Sequence, residues 1–425
     1  MPFLTLDFGV ALFRYVSKVS VNSGCFRSSS ITLVLGSTPD SDFLIVSLLI
    51  PLLIASISIF SNHSSNGIFS FACVNIGLNV INERIVINIR DFLKKYIFKV
   101  LVMNRQKELI DLIGNTPIIQ VKRIDTGKCN LFLKLENMNP GYSIKDRVAL
   151  NIINNAEKDG LLNKDSTIVE ASAGNTALGL ALIARIKGYK ATVVILDKMN
   201  ENKIFHLKAV GANVVTTRSD VGPDHPEHYV NVAKKIASET PNSFFASQFT
   251  NMDNPKAHEL STAPEIFNQM NGKVDAIVCG VGTGGTISGI GKYFSEHSPK
   301  TEMVLADPEG SIVKDAVEKN QIMQADYSWL VEGIGEDFIP ETLELKYIKK
   351  AYSVSNKEAF DTIRKLAATE GILGGSSSGT LISAAIKYCK EQTNEKNVLT
   401  FICDNGEKYL NTAYNESWLK EKNLI

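Results

Sequence analysis

From Met103 onward, short apolar and β-branched runs alternate with amphipathic stretches of helical length. This alternation is typical of βαβ units and a parallel sheet. A first block predicts strands at Ser166–Ala171, Ala191–Leu196, Asn213–Thr217 and Ser243–Ala246, with helices at Thr176–Lys187, Glu201–Val210 and Tyr229–Glu239. A second block predicts strands at Val274–Gly280, Thr301–Asp307 and Asn397–Cys403, with a helix at Thr286–Glu296. Two successive blocks predict an α/β protein of two lobes, with a ligand cleft between the strand ends.

Residues 1–102 follow a different pattern, poor in acids and rich in Ser, Ile, Leu and Phe. The apolar run Phe43–Phe60 has 18 residues and just reaches the length of a membrane helix. It lies too far along the chain for an ordinary signal peptide. A membrane anchor through residues 43–60 is therefore one hypothesis. The favoured hypothesis makes residues 1–102 a non-catalytic extension and residues 103–425 the catalytic part, with clear turn and helix patterns beginning abruptly at Met103.

Composition excludes some functions. Lys+Arg and Asp+Glu both total 45, so the zero net charge gives no electrostatic reason to expect nucleic acid or an anionic membrane as partner. The six cysteines form no CxxC pair, which is typical of a reducing compartment such as the cytoplasm. The close pair His225 and His228 has no neighbouring cysteine, so we expect no metal site there.

The first two loops with candidate chemistry lie ahead of and within the first block. In Asn139–Arg147, "NPGYSIKDR", Lys145 follows a Pro-Gly turn and is either a surface lysine at a helix start or a reactive lysine in a pocket. The loop Ser172–Thr176, "SAGNT", lies between a strand and a helix, where unsatisfied N–H groups favour an anion. The alternative for this loop is an ordinary helix start with Asn175 or Ser172 as N-cap.

Two more loops lie in the second block. The glycine-rich loop Gly280–Thr286 can wrap a phosphate with backbone N–H groups, but it lacks the Lys-Ser/Thr ending of an ATP-type P-loop. Three of its glycines have the spacing of a dinucleotide fingerprint, and Asp307 ends the next strand. An NAD-dependent oxidoreductase therefore stays a distant alternative. The loop Gly374–Gly379 precedes a helix expected to start near Thr380, and it can direct the Ser377 hydroxyl into a pocket.

Together the four loops supply a reactive amine, an anion-binding helix start, a phosphate cradle and a neutral hydroxyl. This set suits a cofactor with one phosphate and an aldehyde, namely pyridoxal 5′-phosphate. From about Met103 to Ile425, the order of these motifs resembles the β-replacing pyridoxal-phosphate enzymes, cystathionine β-synthases and cysteine synthases. The resemblance implies the two-lobed tryptophan-synthase β-like fold (type II), each lobe a mostly parallel sheet flanked by helices. It implies a smaller lobe at about 147–250 and a larger lobe from 103–146 plus 251–425. It also implies a homodimer.

The resemblance also implies a role at individual positions. Lys145 would carry the cofactor as a Schiff base and move the Cα proton, and Ser377 would face the pyridine nitrogen. Asn175 would bind the 3′-oxygen of the ring. The phosphate would be held by Gly282, Thr283, Gly284, Gly285 and Thr286. The substrate carboxylate would be held by Ser172, Ala173, Gly174, Thr176 and Gln248. A serine at the ring nitrogen disfavours its protonation, and so favours loss of the β-substituent over transamination.

Some residues depart from the family pattern or divide its members. Tyr142 stands where a small residue is usual, and Ala173 replaces a hydroxyl residue. The segments Ala306–Ser311 and Glu332–Pro340 are similar to cystathionine β-synthases, although Phe249 and Glu336 replace two tyrosines typical of them. No segment resembles a haem ligand. We therefore expect a cystathionine β-synthase acting on serine and homocysteine, with cysteine synthase as the alternative.

The choice between these two enzymes predicts an additional acid. Serine loses hydroxide, a poor leaving group that needs a proton, whereas acetate leaves O-acetylserine unaided. A carboxyl group near the substrate would therefore favour serine. Glu309, in the first of the two segments, is the predicted substrate-binding acid, and Glu336 in the second is a further candidate.

Overall fold

A computed structural model describes residues 108–425, apart from 173, 198, 200, 223 and 320–328, together with four strands nearer the N-terminus. The chain divides into two compact units, Met1–Gln106 and Lys107–Ile425. In the first unit, β1 (Val16–Asn22) pairs antiparallel with β2 (Ser30–Leu35), and β3 (Ile76–Ile81) pairs antiparallel with β4 (Arg84–Asn88). The apolar run at 43–60 lies outside the described residues, so the membrane-anchor hypothesis stays a prediction.

The strands of the second unit form two separate sheets. They are β5 (Ile118–Gln120), β6 (Asn130–Leu135), β7 (Thr167–Ala171), β8 (Lys190–Leu196), β9 (Asn213–Thr217), β10 (Ser243–Phe245), β11 (Ala276–Gly280), β12 (Glu302–Pro308), β13 (Ile348–Val354) and β14 (Asn397–Ile402). The helices are α1 (Lys145–Lys158), α2 (Asn175–Lys187), α3 (Glu201–Ala209), α4 (Tyr229–Glu239), α5 (Asp253–Ala257), α6 (Ala263–Gln269), α7 (Gly285–His297), α8 (Val313–Lys319), α9 (Asn356–Glu370), α10 (Ser376–Lys390) and α11 (Glu416–Glu421). A π-helical turn, His258–Thr262, joins α5 to α6.

The smaller sheet has the strand order β10-β7-β8-β9, and all of its strands are parallel. Every residue of β7 is buried, as expected for a parallel strand covered on both faces. Helices α1 and α2 pack against each other over this sheet, and their apolar faces supply most of its core. The core is built around side chains such as Ile152, Ile183 and Val193.

The larger sheet has the order β13-β12-β11-β14-β6-β5, and β5 is its antiparallel edge strand. Helix α10 packs across β11, β12, β13 and β14, and this contact forms the centre of the larger core. The prediction of an α/β protein with two mostly parallel sheets flanked by helices is confirmed. The lobe boundaries at residues 147, 250 and 251 stay predictions. Within the described parts of the chain, no helix combines the length and apolarity needed to cross a membrane.

Most element boundaries agree with the apolar pattern to within one or two residues, but the prediction that a helix starts near Thr380 is wrong. Helix α10 starts at Ser376, so the serine cluster forms its first turn. Tertiary hydrogen bonds explain the difference. Ser376 Oγ accepts from Glu332 N at 3.0 Å, and Ser378 Oγ accepts from Cys403 N at 2.9 Å. These hydroxyls are therefore used by neighbouring segments and do not compete with the helix.

Candidate active site

The loop before Lys145 is held by the segment that follows β14. Ile144 N donates to Cys403 O at 2.9 Å, and Asn405 N donates to Tyr142 O at 3.2 Å. Lys145 is the first residue of α1, so it lies at a helix start, as the surface-lysine interpretation expected. The residue is only partly exposed, and within the described residues its Nζ has no hydrogen bond or ion pair. The pocket interpretation is therefore the one supported.

The environment of the Lys145 amine changes its acidity. Burial lowers the pKa of Lys145, while Cys403, Asp404 and Glu336 act in the opposite direction. A lysine whose pKa is lowered carries more neutral amine at neutral pH, and the neutral amine is the nucleophile. The site thus contains an amine suited to bind an aldehyde.

The residues after Lys145 anchor its helix. The Asp146 carboxylate accepts from Gly141 N and so closes the turn before the lysine. Arg147 forms a buried double ion pair, with Nε to Glu136 Oε2 at 2.7 Å and Nη1 to Glu265 Oε1 at 2.8 Å. These contacts tie the lysine loop to the 3-10 turn that follows β6 and to α6. The hydrogen bonds and ion pairs of Asp146 and Arg147 therefore fix the position of the neighbouring lysine.

Tyr142, the departure noted in the sequence, adopts a left-handed φ of 62° and is 49% exposed. A small residue is usual here because glycine adopts this conformation without a steric penalty. The phenol does not fill the lysine pocket, since half of the side chain faces solvent. The main consequence of Tyr142 therefore lies in the left-handed backbone conformation.

The glycine-rich loop leads from β11 into α7, and its N-cap is Gly284 with a φ of 81°. Its glycines have no space for side chains. A Cβ on Gly282 would lie 2.4 Å from Gly333 O, and one on Gly285 would lie 2.0 Å from Asn254 Oδ1. A helix start without a side-chain cap leaves its first N–H groups for an anion. The predicted phosphate loop therefore has the required shape.

Two residues that the sequence analysis did not identify support this loop. The Asn254 amide donates to Thr283 Oγ1 and to Gln248 O, both at 2.8 Å. His258 Nε2 lies 3.2 Å from Thr286 Oγ1. Burial, reinforced by the positive charges of Lys145 and Arg147, holds the pKa of His258 well below its ordinary value, so the ring is neutral. Both residues lie in a helical segment with no recognisable motif, and only the fold brings them to the loop.

The predicted substrate loop leads from β7 into α2. Its N-cap is Gly174, so neither Asn175 nor Ser172 caps the helix, and that alternative is wrong. Ser172 Oγ accepts from Gly174 N at 3.3 Å, while Ala173 lies outside the described residues. Thr176 Oγ1 donates to Gln248 Oε1 at 2.5 Å. The structure thus brings Gln248 to the loop, as the assignment requires.

Gln248 links the two sheets of the site. Its side chain contacts Thr176, and its backbone oxygen accepts from Asn254, which also holds Thr283. Its backbone N–H donates to Glu170 Oε2 at 3.2 Å. Burial raises the pKa of Glu170 to about 7. A continuous chain of hydrogen bonds therefore joins the predicted carboxylate loop to the predicted phosphate loop.

A second group of predicted residues converges on Cys403 and Asp404, just after β14. Asn175 Nδ2 donates to Asp404 Oδ2 at 2.8 Å. The Ser377 hydroxyl contacts the Cys403 thiol, whose pKa burial raises to about 12. Lys145 interacts electrostatically with both. Three residues from three separate elements therefore meet at one place, as a shared cofactor requires.

The two candidate acids lie in different environments. Glu309 is exposed at the turn after β12, where its backbone N–H donates to Val354 O. Glu336 is partly buried and lies within electrostatic reach of Lys145. Burial, with the charge of Asp337, raises the pKa of Glu336 to about 8. Glu336 is thus the acid that the fold brings near the lysine.

Comparison with known proteins agrees with this geometry. Residues 109–404 match the family model described as pyridoxal-phosphate dependent enzyme. The chain belongs to this family. It is 40% identical over 328 residues to a cystathionine β-synthase of Saccharomyces cerevisiae, covering 74% of this chain and 64% of that protein. It is 39% identical over 306 residues to a cysteine synthase of Staphylococcus aureus, covering 72% of this chain and 95% of that protein.

Solved structures show the same fold. A hydrogen sulfide-producing enzyme from Fusobacterium nucleatum matches with a TM-score of 0.66 and 36% identity, over 72% of this chain and 100% of that one. An O-ureido-L-serine synthase matches with a TM-score of 0.68 and 30% identity, over 74% of this chain and 99% of that one. The predicted type II fold is confirmed. The chain spans 64% of the length of the yeast cystathionine β-synthase and 57% of the mouse one.

The residues present fit pyridoxal phosphate, the cofactor of the family. A Cβ at Gly282 or Gly285 would clash with neighbouring atoms, and among the described residues the Lys145 amine has no hydrogen bond or ion pair. The family match decides against the dinucleotide alternative, and the position of Asp307 agrees. That carboxylate is fully buried and accepts from Lys314 N at 2.8 Å, so it caps α8 and does not face a ribose.

Proposed function

We propose that the chain catalyses β-replacement on L-serine or O-acetyl-L-serine by a thiol. Our first choice is cystathionine β-synthase activity, which joins serine and homocysteine to give cystathionine. Cysteine synthase activity, O-acetylserine plus sulfide, is the second candidate and is favoured by the similarity to a cysteine synthase over 95% of that protein. The convergence of Lys145, Asn175 and Ser377 on Cys403–Asp404 is the observation that carries the proposal.

Each group of the site has a part in this reaction. Bound pyridoxal phosphate supplies the electron sink for negative charge at the substrate Cα. Lys145 holds the cofactor and then moves the Cα proton. The uncapped start of α7, with Thr283 and Thr286, binds the phosphate. The uncapped start of α2, with Gln248, binds the substrate carboxylate. The neutral hydroxyl of Ser377 keeps the ring nitrogen unprotonated.

The choice of serine depends on a proton donor. Glu336 has its pKa raised to about 8, so its carboxyl group is largely neutral at pH 7 and can protonate a departing hydroxide. Acetate needs no such proton. This environment favours serine, and it makes Glu336 a stronger candidate for the acid than the exposed Glu309. The role of Glu309 stays a prediction.

The first test concerns the cofactor. The purified protein should be yellow, and borohydride should fix the pyridoxyl group on the peptide that contains Lys145. Lys145→Ala should abolish this labelling, whereas Lys396→Arg, a change remote from the proposed site, should leave it intact. Label on another lysine, or no label at all, contradicts the proposal.

The second test concerns the substrates. Serine or O-acetylserine is combined with homocysteine or sulfide, which gives four assays. We expect cystathionine from serine and homocysteine as the dominant reaction. Turnover only with O-acetylserine and sulfide would make the enzyme a cysteine synthase and our first choice wrong.

The proposal includes the organisation of the chain. Residues 1–102 are proposed to be dispensable, so protein starting at Met103 should retain full activity. We also propose a homodimer, as the resemblance to the β-replacing pyridoxal-phosphate enzymes implies. Light scattering on the purified protein measures its oligomeric state.

The cytoplasm is the proposed location, since the cysteines within the described residues are all free thiols.

A further inference from the structure

Asn175 lies between two charged residues of the C-terminal segment. Its Nδ2 donates to Asp404 Oδ2 at 2.8 Å, and its Oδ1 accepts from Lys408 Nζ at 2.6 Å. Asn175 starts α2 in the smaller lobe, whereas Asp404 and Lys408 follow β14 of the larger sheet. The amide is thus held at both ends by groups from the opposite side of the cleft.

The chemistry of these two groups fixes which way the amide faces. A lysine ammonium can only donate hydrogen bonds, and an ionised carboxylate can only accept them. An amide has one end of each kind. The opposite orientation would place the amide oxygen against the carboxylate and the amide N–H groups against the ammonium. Only one orientation is therefore compatible with this pair.

The carboxylate itself is rigidly placed. Tyr409 OH donates to the same Oδ2 at 2.8 Å, and Asp404 is 1% exposed. Its other oxygen, Oδ1, has no hydrogen-bond partner among the described residues. This oxygen packs against Gly375, where a Cβ would lie only 1.9 Å from it. The carboxylate cannot shift toward α10 to follow a rotating amide.

We propose that Asp404 and Lys408 are positioning residues, which lock the Asn175 amide so that its remaining N–H is reserved for the 3′-oxygen of pyridoxal phosphate. This inference rests on the proposed function, in which Asn175 binds that oxygen. Asp404 and Lys408 act through Asn175 and need not touch the substrate. Within the described residues, Asn175 Nδ2 makes one hydrogen bond, to Asp404, and so has one N–H left.

A change in the orientation of the Asn175 amide should be visible in the absorbance spectrum of the bound cofactor. An N–H donated to the 3′-oxygen stabilises the ionised form of that oxygen, so it alters the ratio of the two absorbance bands that report its protonation. The same hydrogen bond should also strengthen binding of the cofactor. Losing one such hydrogen bond weakens binding by about tenfold. A residue that only stabilises the fold would lower the melting temperature without changing this band ratio.

The experiment uses the full chain, purified with its cofactor. Asp404→Asn keeps the shape but removes the acceptor-only character, and Lys408→Gln removes the donor-only character. Both should change the band ratio and release pyridoxal phosphate about tenfold more readily. Lys408→Arg keeps a donor-only group and should behave nearly as the wild type. An unchanged band ratio in both Asp404→Asn and Lys408→Gln overturns the inference.

A double-mutant cycle separates positioning from stability. Asn175→Ala should itself weaken cofactor retention, and adding Asp404→Asn should then have no further effect, because the two residues act as a unit. An equal additional loss in the Asn175→Ala background overturns the inference. Asp307→Asn provides a matched control, since it alters another fully buried carboxylate, near the end of β12 in the same sheet. It should change the melting temperature and leave the band ratio unchanged.

Three outcomes identify which level has failed. If borohydride labels no lysine in the wild type, the proposed function fails. If Lys145 is labelled and Asn175→Ala does not alter the band ratio, the assignment of Asn175 fails and the inference with it. If Asn175→Ala alters the band ratio but Asp404→Asn and Lys408→Gln do not, only the inference fails. If Asp404→Asn does not fold, the comparison of Lys408→Gln with Lys408→Arg is sufficient to test the inference.

Discussion

The two loops assigned to anions, Gly280–Thr286 and Ser172–Thr176, look alike in the sequence but are built differently. Both connect a parallel strand to a helix, and both helices start after a glycine N-cap without a side-chain cap. In the first loop the glycines are enclosed by backbone and side chains of neighbouring segments. In the second, a Cβ on Gly174 would meet no atom of the described residues within 4 Å.

This difference agrees with the role proposed for each loop. The glycine-rich loop has its shape set by dense packing, which a preformed site for a permanently bound phosphate requires. The substrate loop is exposed at Gly174 and is held mainly by hydrogen bonds, such as that of Thr176 with Gln248. A loop with few packing constraints suits a ligand that enters and leaves in every turnover. Four predictions test this contrast.

The largest effect is expected from Gly285→Ala. The new methyl group would lie 2.0 Å from Asn254 Oδ1, so the loop or Asn254 must move, and the phosphate site is distorted. Cofactor affinity, measured by absorbance titration, should fall by about 100-fold, equivalent to ~2.7 kcal/mol. Gly174→Ala is the matched control and should change cofactor affinity less than about threefold. Similar losses in both variants would remove the contrast between the loops.

The next effect concerns the substrate. Thr176→Val keeps the shape but leaves Gln248 Oε1 without its donor, which costs about 1–3 kcal/mol for a buried group. We expect KM for the amino-acid substrate to rise about tenfold, with the cofactor absorbance unchanged. Thr369→Val, a change on the exposed end of α9, serves as the control. A loss of cofactor in Thr176→Val would show that the two loops are not separable.

A pH profile tests the proposed acid role of Glu336. This residue follows Gly335 in a segment that packs on the glycine-rich loop. Gly335 N donates to Val281 O at 2.7 Å. Since the pKa of Glu336 is raised to about 8, its carboxyl is protonated below that pH and loses its proton above it. The serine reaction should therefore fall as pH rises through about 8, and Glu336→Gln should lower it and remove this limb. The O-acetylserine reaction should show neither change. Equal effects on both substrates would exclude an acid role.

The smallest effect is expected from Glu309→Gln. The sequence predicts that this change lowers the serine reaction more than the O-acetylserine reaction. Because Glu309 is exposed, we expect the difference to be no more than about threefold. Initial rates with both substrates at saturating thiol measure it. A larger effect than that of Glu336→Gln would reverse our order of the two acids.

Local features of the sequence determined much of this protein. The motif around Lys145, the glycine loop and the alternation of strands and helices are encoded in short spacings, so they were readable along the chain. They identified the family and the cofactor, and they predicted the residues of the candidate site. The boundaries of α2, α7, β9 and α4 also followed from local periodicity to within one residue.

The tertiary structure alone decided how these parts meet. Asp404 reaches Asn175 across 229 positions of the chain, and Arg147 reaches Glu265 across 118. No local spacing encodes such contacts. The same holds for Asn254, which joins two loops, and for the start of α10 at Ser376, where hydrogen bonds from Glu332 and Cys403 determine the role of the serines. Local propensity is short-ranged, whereas the orientation of the partly buried Asn175 amide depends on charges that only the packed fold brings to it.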